Sequence, residues 1–158
     1  MKFKKYFYFA VIIIFLGISV VFLVKNSREV KLVENSVINK IQYVEIGGQK
    51  VKVELARTSE EQEQGLSGRK SLGDDEGMLF IFEKPSKYSF WMPKMNFPID
   101  IIWLDENLHI VFIKKNATPE SYPGVFTPTS DSLYVLEVES DFSQKNNLKV
   151  GDLVQFLP

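Results

Sequence analysis

The sequence predicts a mainly β fold: a compact antiparallel β-barrel or sandwich-like domain of about eight strands with one or two short helices, preceded by an N-terminal transmembrane helix. Three observations carry this. Short alternating or apolar runs recur along the chain, separated by Gly and Pro turn signals. Only one segment, beginning at Thr58, has a good helix start. The first residues hold an uncharged run of 19 residues, Tyr6–Val24.

That run comes first. At about 1.5 Å rise per residue, a helix of this length spans a hydrocarbon core of about 30 Å. It has no polar face, which a helix packed on a globular domain would show. It is longer than a signal-peptide core, and no Ala-x-Ala cleavage pattern follows. Residues 1–25 therefore read as an uncleaved signal anchor, with a cleaved, secreted form as the alternative. Lys2, Lys4 and Lys5 precede the run, whereas Lys25 and Arg28 on the far side are opposed by Glu29. The positive-inside rule then puts the N-terminus in the cytoplasm and the remainder outside the cell membrane, as a single-pass extracytoplasmic protein. Residues 26–40 form a tether, with some strand character at Val30–Val33, and 41–158 the domain.

Within the domain, Ile41–Ile46 and Val51–Leu55 flank Gly47-Gly48, the sequence of a two-residue hairpin. Thr58 and Glu61 have capping-box spacing, and Gly65 or Gly68 ends the helix. Met78–Phe82 is a continuous apolar run suited to a buried strand, broken by Pro85. Tyr88–Met92 reads as a strand. Ile99–Asp105 and Leu108–Lys114 form a hairpin turning at Glu106-Asn107. Ala117–Ser130, with three prolines and Gly124, is a long loop. Leu133–Val138 is a strand, Ser140–Asn146 one helical turn, and Lys149–Asp152 a turn into a last strand, Leu153–Leu157.

Composition narrows the chemistry. The chain has 158 residues, enough for one domain, and is 45% hydrophobic, enough to fill a core. The net charge of −1 combines two unlike parts. Residues 1–35 hold six basic and two acidic residues, a balance of +4; residues 36–158 hold 13 basic and 18 acidic, a balance of −5. An acidic domain without a Gly-rich phosphate loop argues against nucleic acid as a partner. Cysteine is absent, which excludes disulfides, thiolate metal sites and a cysteine nucleophile. With a single histidine, His109, a multi-histidine metal site is impossible within one chain. No cofactor or metal is expected.

The order of motifs resembles a known family. Val53-Glu54-Leu55-Ala56 is followed by Thr58-x-x-Glu61 with Gly65-Leu66 and Arg69. Gly77-Met78-Leu79-Phe80, Ser89-Phe90-Trp91-Met92 and Pro98-Ile99-Asp100-Ile101-Ile102-Trp103 come next, and Tyr134-Val135-Leu136-Glu137 precedes Gly151-Asp152. Over about residues 50–158 this resembles DUF192, a prokaryotic domain of unknown function. The resemblance implies a β-rich fold, often behind a signal or anchor, and no established activity. Three positions depart from the family pattern. Ser67 stands where Met usually precedes the arginine, Pro93-Lys94-Met95 follows Trp91-Met92 in place of Lys-Asn-Thr, and Ser140-Asp141 stands where a glycine often follows the late glutamate.

Arg69, Asp100 and Glu137 are the polar residues of most interest. Asp100 and Glu137 sit within apolar strands, where a charge is costly unless paired, and Arg69 could satisfy one of them by a bidentate contact. That pair would pin the helix end to the sheet. Alternatively, the two carboxylates would share a polar site at a barrel mouth, for acid–base work or cation binding. Trp91, Tyr122 and Phe126 are the aromatics expected to be exposed, the last two on the proline-rich loop, and aromatic platforms suit sugars, peptides or lipid headgroups near a membrane. Ser67-Gly68-Arg69-Lys70 has Ser-x-x-Lys spacing, but Ser130-Asp131-Ser132 is not Ser-Asp-Asn and no Lys-Thr-Gly exists. Asp74-Asp75-Glu76 lacks EF-hand spacing and reads as a solvated turn.

These readings give a non-catalytic, membrane-tethered β module that binds an envelope ligand or a protein partner. The alternative is a small envelope hydrolase using Asp100 and Glu137 near Arg69. A third reading is a subunit of an assembly.

Overall fold

The computed structural model describes residues 38–158 and, before them, Lys25. The expected anchor at Tyr6–Val24 and tether residues 26–37 lie outside the described residues. Among the described residues, no helix is long and apolar enough to cross a membrane. The chain divides into Met1–Lys40 and Ile41–Pro158; the second unit is the β domain.

β1 (Tyr43–Ile46) and β2 (Gln49–Ala56) form the expected hairpin, with Tyr43 opposite Lys52 and Ile46 opposite Gln49. Gly47 and Gly48 take φ of 58° and 76°, and a Cβ on Gly47 would sit 2.6 Å from Leu148 Cδ2. The turn therefore needs glycine for both its twist and its packing. α1 (Ser59–Gln64) opens with a complete capping box: Glu61 N–H donates to Thr58 Oγ1, and Thr58 N–H donates to Glu61 Oε2. Gly65 closes it, its N–H donating to the Glu61 carbonyl.

The crossover through α1 brings β3 (Glu76–Ser86) beside β2 in parallel, Lys52 opposite Glu76 and Ala56 opposite Phe80. This corrects the expectation of a wholly antiparallel sheet; a connection that contains a helix can return the chain in the same direction. β4 (Ile99–Leu104) and β5 (Ile110–Ala117) form the second hairpin, β6 (Ser132–Glu139) inserts between β4 and β3, and β7 (Gln155–Leu157) flanks β1. The spatial order is β5-β4-β6-β3-β2-β1-β7. A 3-10 turn (Pro119–Ser121) lies in the proline-rich loop, and α2 (Phe142–Lys145) follows β6.

The sheet curls into a half-barrel. Its two edges meet at one end, where His109 bridges Leu153, Ile110 N–H donates to the Asp152 carbonyl and Val154 N–H to that of Leu108. Among the described residues seven strands form the sheet, where the sequence predicts about eight. Tyr88–Met92 contributes only one bridge, Phe90 to Phe126. Pro93 lacks an N–H, and the Tyr88 carbonyl is taken by Trp103 Nε1 at 2.8 Å, so this run has little free backbone with which to extend a ladder.

Alternation along the strands sorts the core. Met78 and Phe80 of β3, Ile101 and Trp103 of β4 and Val135 of β6 pack in one buried cluster with Leu66 from the crossover. Leu79, Ile102, Leu136 and Val138 are buried on the opposite face. Glu137 has the parity of Val135, so its carboxyl enters the first face, level with Met78 on one side and Ile101 on the other.

Candidate functional site

A cleft of about 370 Å³ opens between α1, the following turn and the Tyr88–Met95 segment. Its base is apolar except for Glu137. Phe80 and Phe90 meet edge to face with ring centroids 4.9 Å apart, and Phe90 meets Trp103 at 5.6 Å. Nearer the mouth, Phe82 and Tyr88 stack at 3.5 Å with an interplanar angle of 9°. Trp91, 44% exposed, stands at the rim. Across from these rings, α1 supplies Ser59, Gln62 and Glu63.

Local structure explains the opening. Gly65 lies over the Glu137 carboxyl at φ 48°, and even a methyl there would come within 3.8 Å of Glu137 Oε2 and 3.4 Å of Phe80 Cζ. Gln62 Nε2 donates to the Ile81 carbonyl at 2.9 Å, which fixes α1 against β3. Ser67 Oγ donates to the Pro93 carbonyl at 2.9 Å, which fixes the turn after α1 against the Trp91 segment.

Glu137 is 5% exposed, and its Oε2 has no hydrogen-bond partner among the described residues. Burial pushes its carboxyl up to about 8, and the positive charge of Arg69 offsets only part of this. At neutral pH the group is therefore mostly a carboxylic acid, able both to donate and to accept a hydrogen bond. A second hollow of about 450 Å³ shares Trp91 and Glu63 and adds Glu60 and Lys94.

Residues 42–156 match the model of DUF192, described as an uncharacterized ACR. The chain belongs to the DUF192 family. Two crystal structures share the fold. One, a protein of unknown function from Novosphingobium aromaticivorans, is 34% identical with a TM-score of 0.68, covering 73% of this chain and 84% of its own. The other, described as a candidate transcription regulator from Sinorhizobium meliloti, is 29% identical with a TM-score of 0.66, covering 68% of this chain and 83% of its own. No curated protein matches.

In this DUF192 domain, the three polar residues singled out in the sequence do not form one site, although the charge of Arg69 reaches Glu137. Asp100 is fully buried, but backbone donors satisfy it: Asn116 N–H at 2.8 Å, Ser143 N–H at 2.8 Å and Asp141 N–H at 3.3 Å. Arg69 forms a bidentate pair with neither strand carboxylate but with Glu54 of β2, at 2.6 and 2.8 Å. Glu54 is held below the usual range first by that hydrogen bond. The expected ion pair between the helix end and the sheet thus exists, with a different acid. Among the aromatics, Trp91 lines the cleft. Phe126 bridges Phe90 from outside it, with Lys114 Nζ 4.8 Å from its ring centroid, and Tyr122 is exposed on the loop. Neither borders the DUF192 cleft.

Sequence reasoning missed Gly65, Phe82, Tyr88 and the α1 residues as cleft-forming. Phe80 and Phe82 share parity on one strand, whereas Gly65 in the sequence signals only a helix stop. That alternation was the available signal.

Proposed function

We propose that this protein is a membrane-tethered, extracytoplasmic binding module of the cell envelope, non-catalytic, whose cleft over Glu137 takes a small organic ligand. The tether rests on the uncharged Tyr6–Val24 run and its basic N-terminal flank. Binding rests on one observation: a buried carboxyl with an unpartnered oxygen at the base of an aromatic-lined cleft. Such an atom is costly to keep dry and unpaired, and a ligand polar group placed against it would recover the lost hydrogen bond.

A hydrolase using Asp100 and Glu137 is the weaker reading. Two-carboxylate hydrolysis needs both groups to flank one bond. Asp100 lies opposite Val138 and Glu137 opposite Ile101, so these carboxylates project to opposite sides of the sheet. A transcription regulator's role, named for one relative, has little to recommend it here: residues 36–158 carry a balance of −5 and would repel nucleic-acid phosphates.

Two experiments test the proposal. Full-length chain in detergent micelles is screened against a fragment collection by ligand-observed NMR, beside Trp91→Ala and Glu137→Gln. Hits that weaken in both variants support a cleft ligand; hits indifferent to both overturn it. Cell fractionation tests the tether: a soluble product whose mature start follows residue 25 overturns it.

A further inference from the structure

The cleft also carries information on the chemistry of what it takes. Among the described residues its lining contains no lysine or arginine; the carboxyl side chains there are those of Glu63 and Glu137. Lys94 belongs to the neighbouring hollow, and Arg69 is engaged by both oxygens of Glu54. Anionic ligands therefore meet no cation among the lining residues, and they would face a carboxyl in a poorly hydrated site. A cation finds the reverse: the Trp91 ring and the outer sides of the stacked Phe82–Tyr88 pair line the cleft, with a carboxyl below them.

The unpartnered Oε2 adds a requirement. Aromatic faces and a negative charge alone would suit a quaternary ammonium. A quaternary nitrogen has no N–H, so it would leave that oxygen unpaired. Resting on the cleft reading above, we propose that the ligand is a protonated primary or secondary amine on an apolar stem, its N–H donating to Glu137 Oε2 and its stem packed on Phe80 and Phe90. Binding takes the carboxylate form of Glu137, so the Glu137 proton leaves to solvent as the ammonium enters.

The sign of the pH dependence follows. The groups facing Glu137 are Arg69 after α1, with Glu54 of β2 and Glu76 of β3 around that guanidinium, and Glu63 and Tyr88 at the rim. Arg69 favours the carboxylate; burial opposes it more strongly and holds the carboxyl at about 8. Below that pH each unit costs roughly tenfold in carboxylate, and hence in amine affinity; above it the affinity levels until the amine itself deprotonates near about 10.

Full-length chain in micelles is titrated with n-butylammonium, tetramethylammonium, butanamide and butanoate, following the Gly65 amide and Trp91 indole NMR signals from pH 6 to 9. The expected order is butylammonium well ahead of the other three, with affinity rising roughly tenfold per unit to about pH 8. Glu137→Gln is expected to lose at least tenfold and the pH dependence with it. Butanamide binding best, more tightly as pH falls, overturns the amine assignment while keeping a cleft ligand; so does tetramethylammonium equal to butylammonium. Butanoate binding best, or a Glu137→Gln variant that binds butylammonium like the parent, also overturns it. Silence of both signals with all four probes overturns the amine assignment and the cleft reading together.

Discussion

Asp100 and Glu137 lie on adjacent strands one position out of step, Asp100 opposite Val138 and Ile101 opposite Glu137, and so they serve opposite faces of one sheet. Their fates differ accordingly. Asp100 meets three backbone N–H groups, two of them from residues held at positive φ, Asn116 at 48° and Asp141 at 67°. It anchors two turns that would otherwise be unfavourable. Glu137 stands in register between Met78 and Ile101 and keeps one oxygen unpaired among the described residues.

Asp100→Ala is expected to destabilise the domain by about 2–4 kcal/mol, because it strands buried donors and releases both left-handed turns. Asp100→Asn, which keeps one acceptor oxygen, should cost less. Thermal melting of the full chain checks both. Unchanged melting of the alanine variant would contradict the anchoring role.

The pH dependence of stability isolates Glu137. Its folded carboxyl is raised to about 8 from the ordinary 4.5, so between these values the folded state holds a proton that the unfolded state has released. Stability from this group is present in full below about 4.5, falls by roughly 1 kcal/mol per pH unit across the window, and is flat above about 8. Glu137→Gln, which cannot ionise, should remove this slope. Urea denaturation at intervals from pH 5 to 9, parent against variant, reads it directly; parallel curves would show that the carboxyl titrates normally.

Much of the fold was legible because its signals are local. Gly47-Gly48 sets its own turn, and Thr58 with Glu61 caps its own helix. The Ile99–Lys114 region pairs across a short connection. The parallel contact of β2 with β3 was not legible, since no residue in either strand encodes the direction of its neighbour. The same limit governs the site. Alternation assigns Glu137 to a buried face, but it cannot say that Glu54, an exposed acid on a third strand, captures Arg69 first. Nor could it say that loops at Asn116 and Asp141 bring their amides to Asp100. Those contacts depend on how distant segments cross, and the Tyr88–Met92 run shows the converse, where alternation is present but a partner strand is not.

The Arg69–Glu54 pair is half-exposed, 34% and 63% by side chain, so its contribution should be small. A double-mutant cycle with Arg69→Ala and Glu54→Ala is expected to give a coupling of about 1 kcal/mol or less, shrinking in about 1 M salt. Arg69→Ala should also push the Glu137 carboxyl higher still, since Arg69 is the charge that pulls it down. A carboxyl-carbon NMR titration follows this; a Glu137 value unmoved by the loss of Arg69 would show that the two charges do not sense each other.

Gly65 tests whether the cleft's opening is set by backbone. Its φ of 48° with ψ of −135° is unfavourable for any residue with a Cβ, and an added methyl would lie 3.4 Å from Phe80 Cζ and 3.8 Å from Glu137 Oε2. Gly65→Ala should therefore cost about 1–2 kcal/mol in stability from strain at the helix end. It should also narrow the space directly above Glu137 and weaken whatever occupies it. Gly68→Ala is the matched control: its φ is 78°, but nothing lies within 4 Å of the added carbon. Both variants carry backbone strain, and only Gly65→Ala puts a methyl in van der Waals contact with the carboxyl. Equal loss of ligand binding in the two would trace the effect to strain in the crossover; selective loss in Gly65→Ala would place the ligand against Glu137.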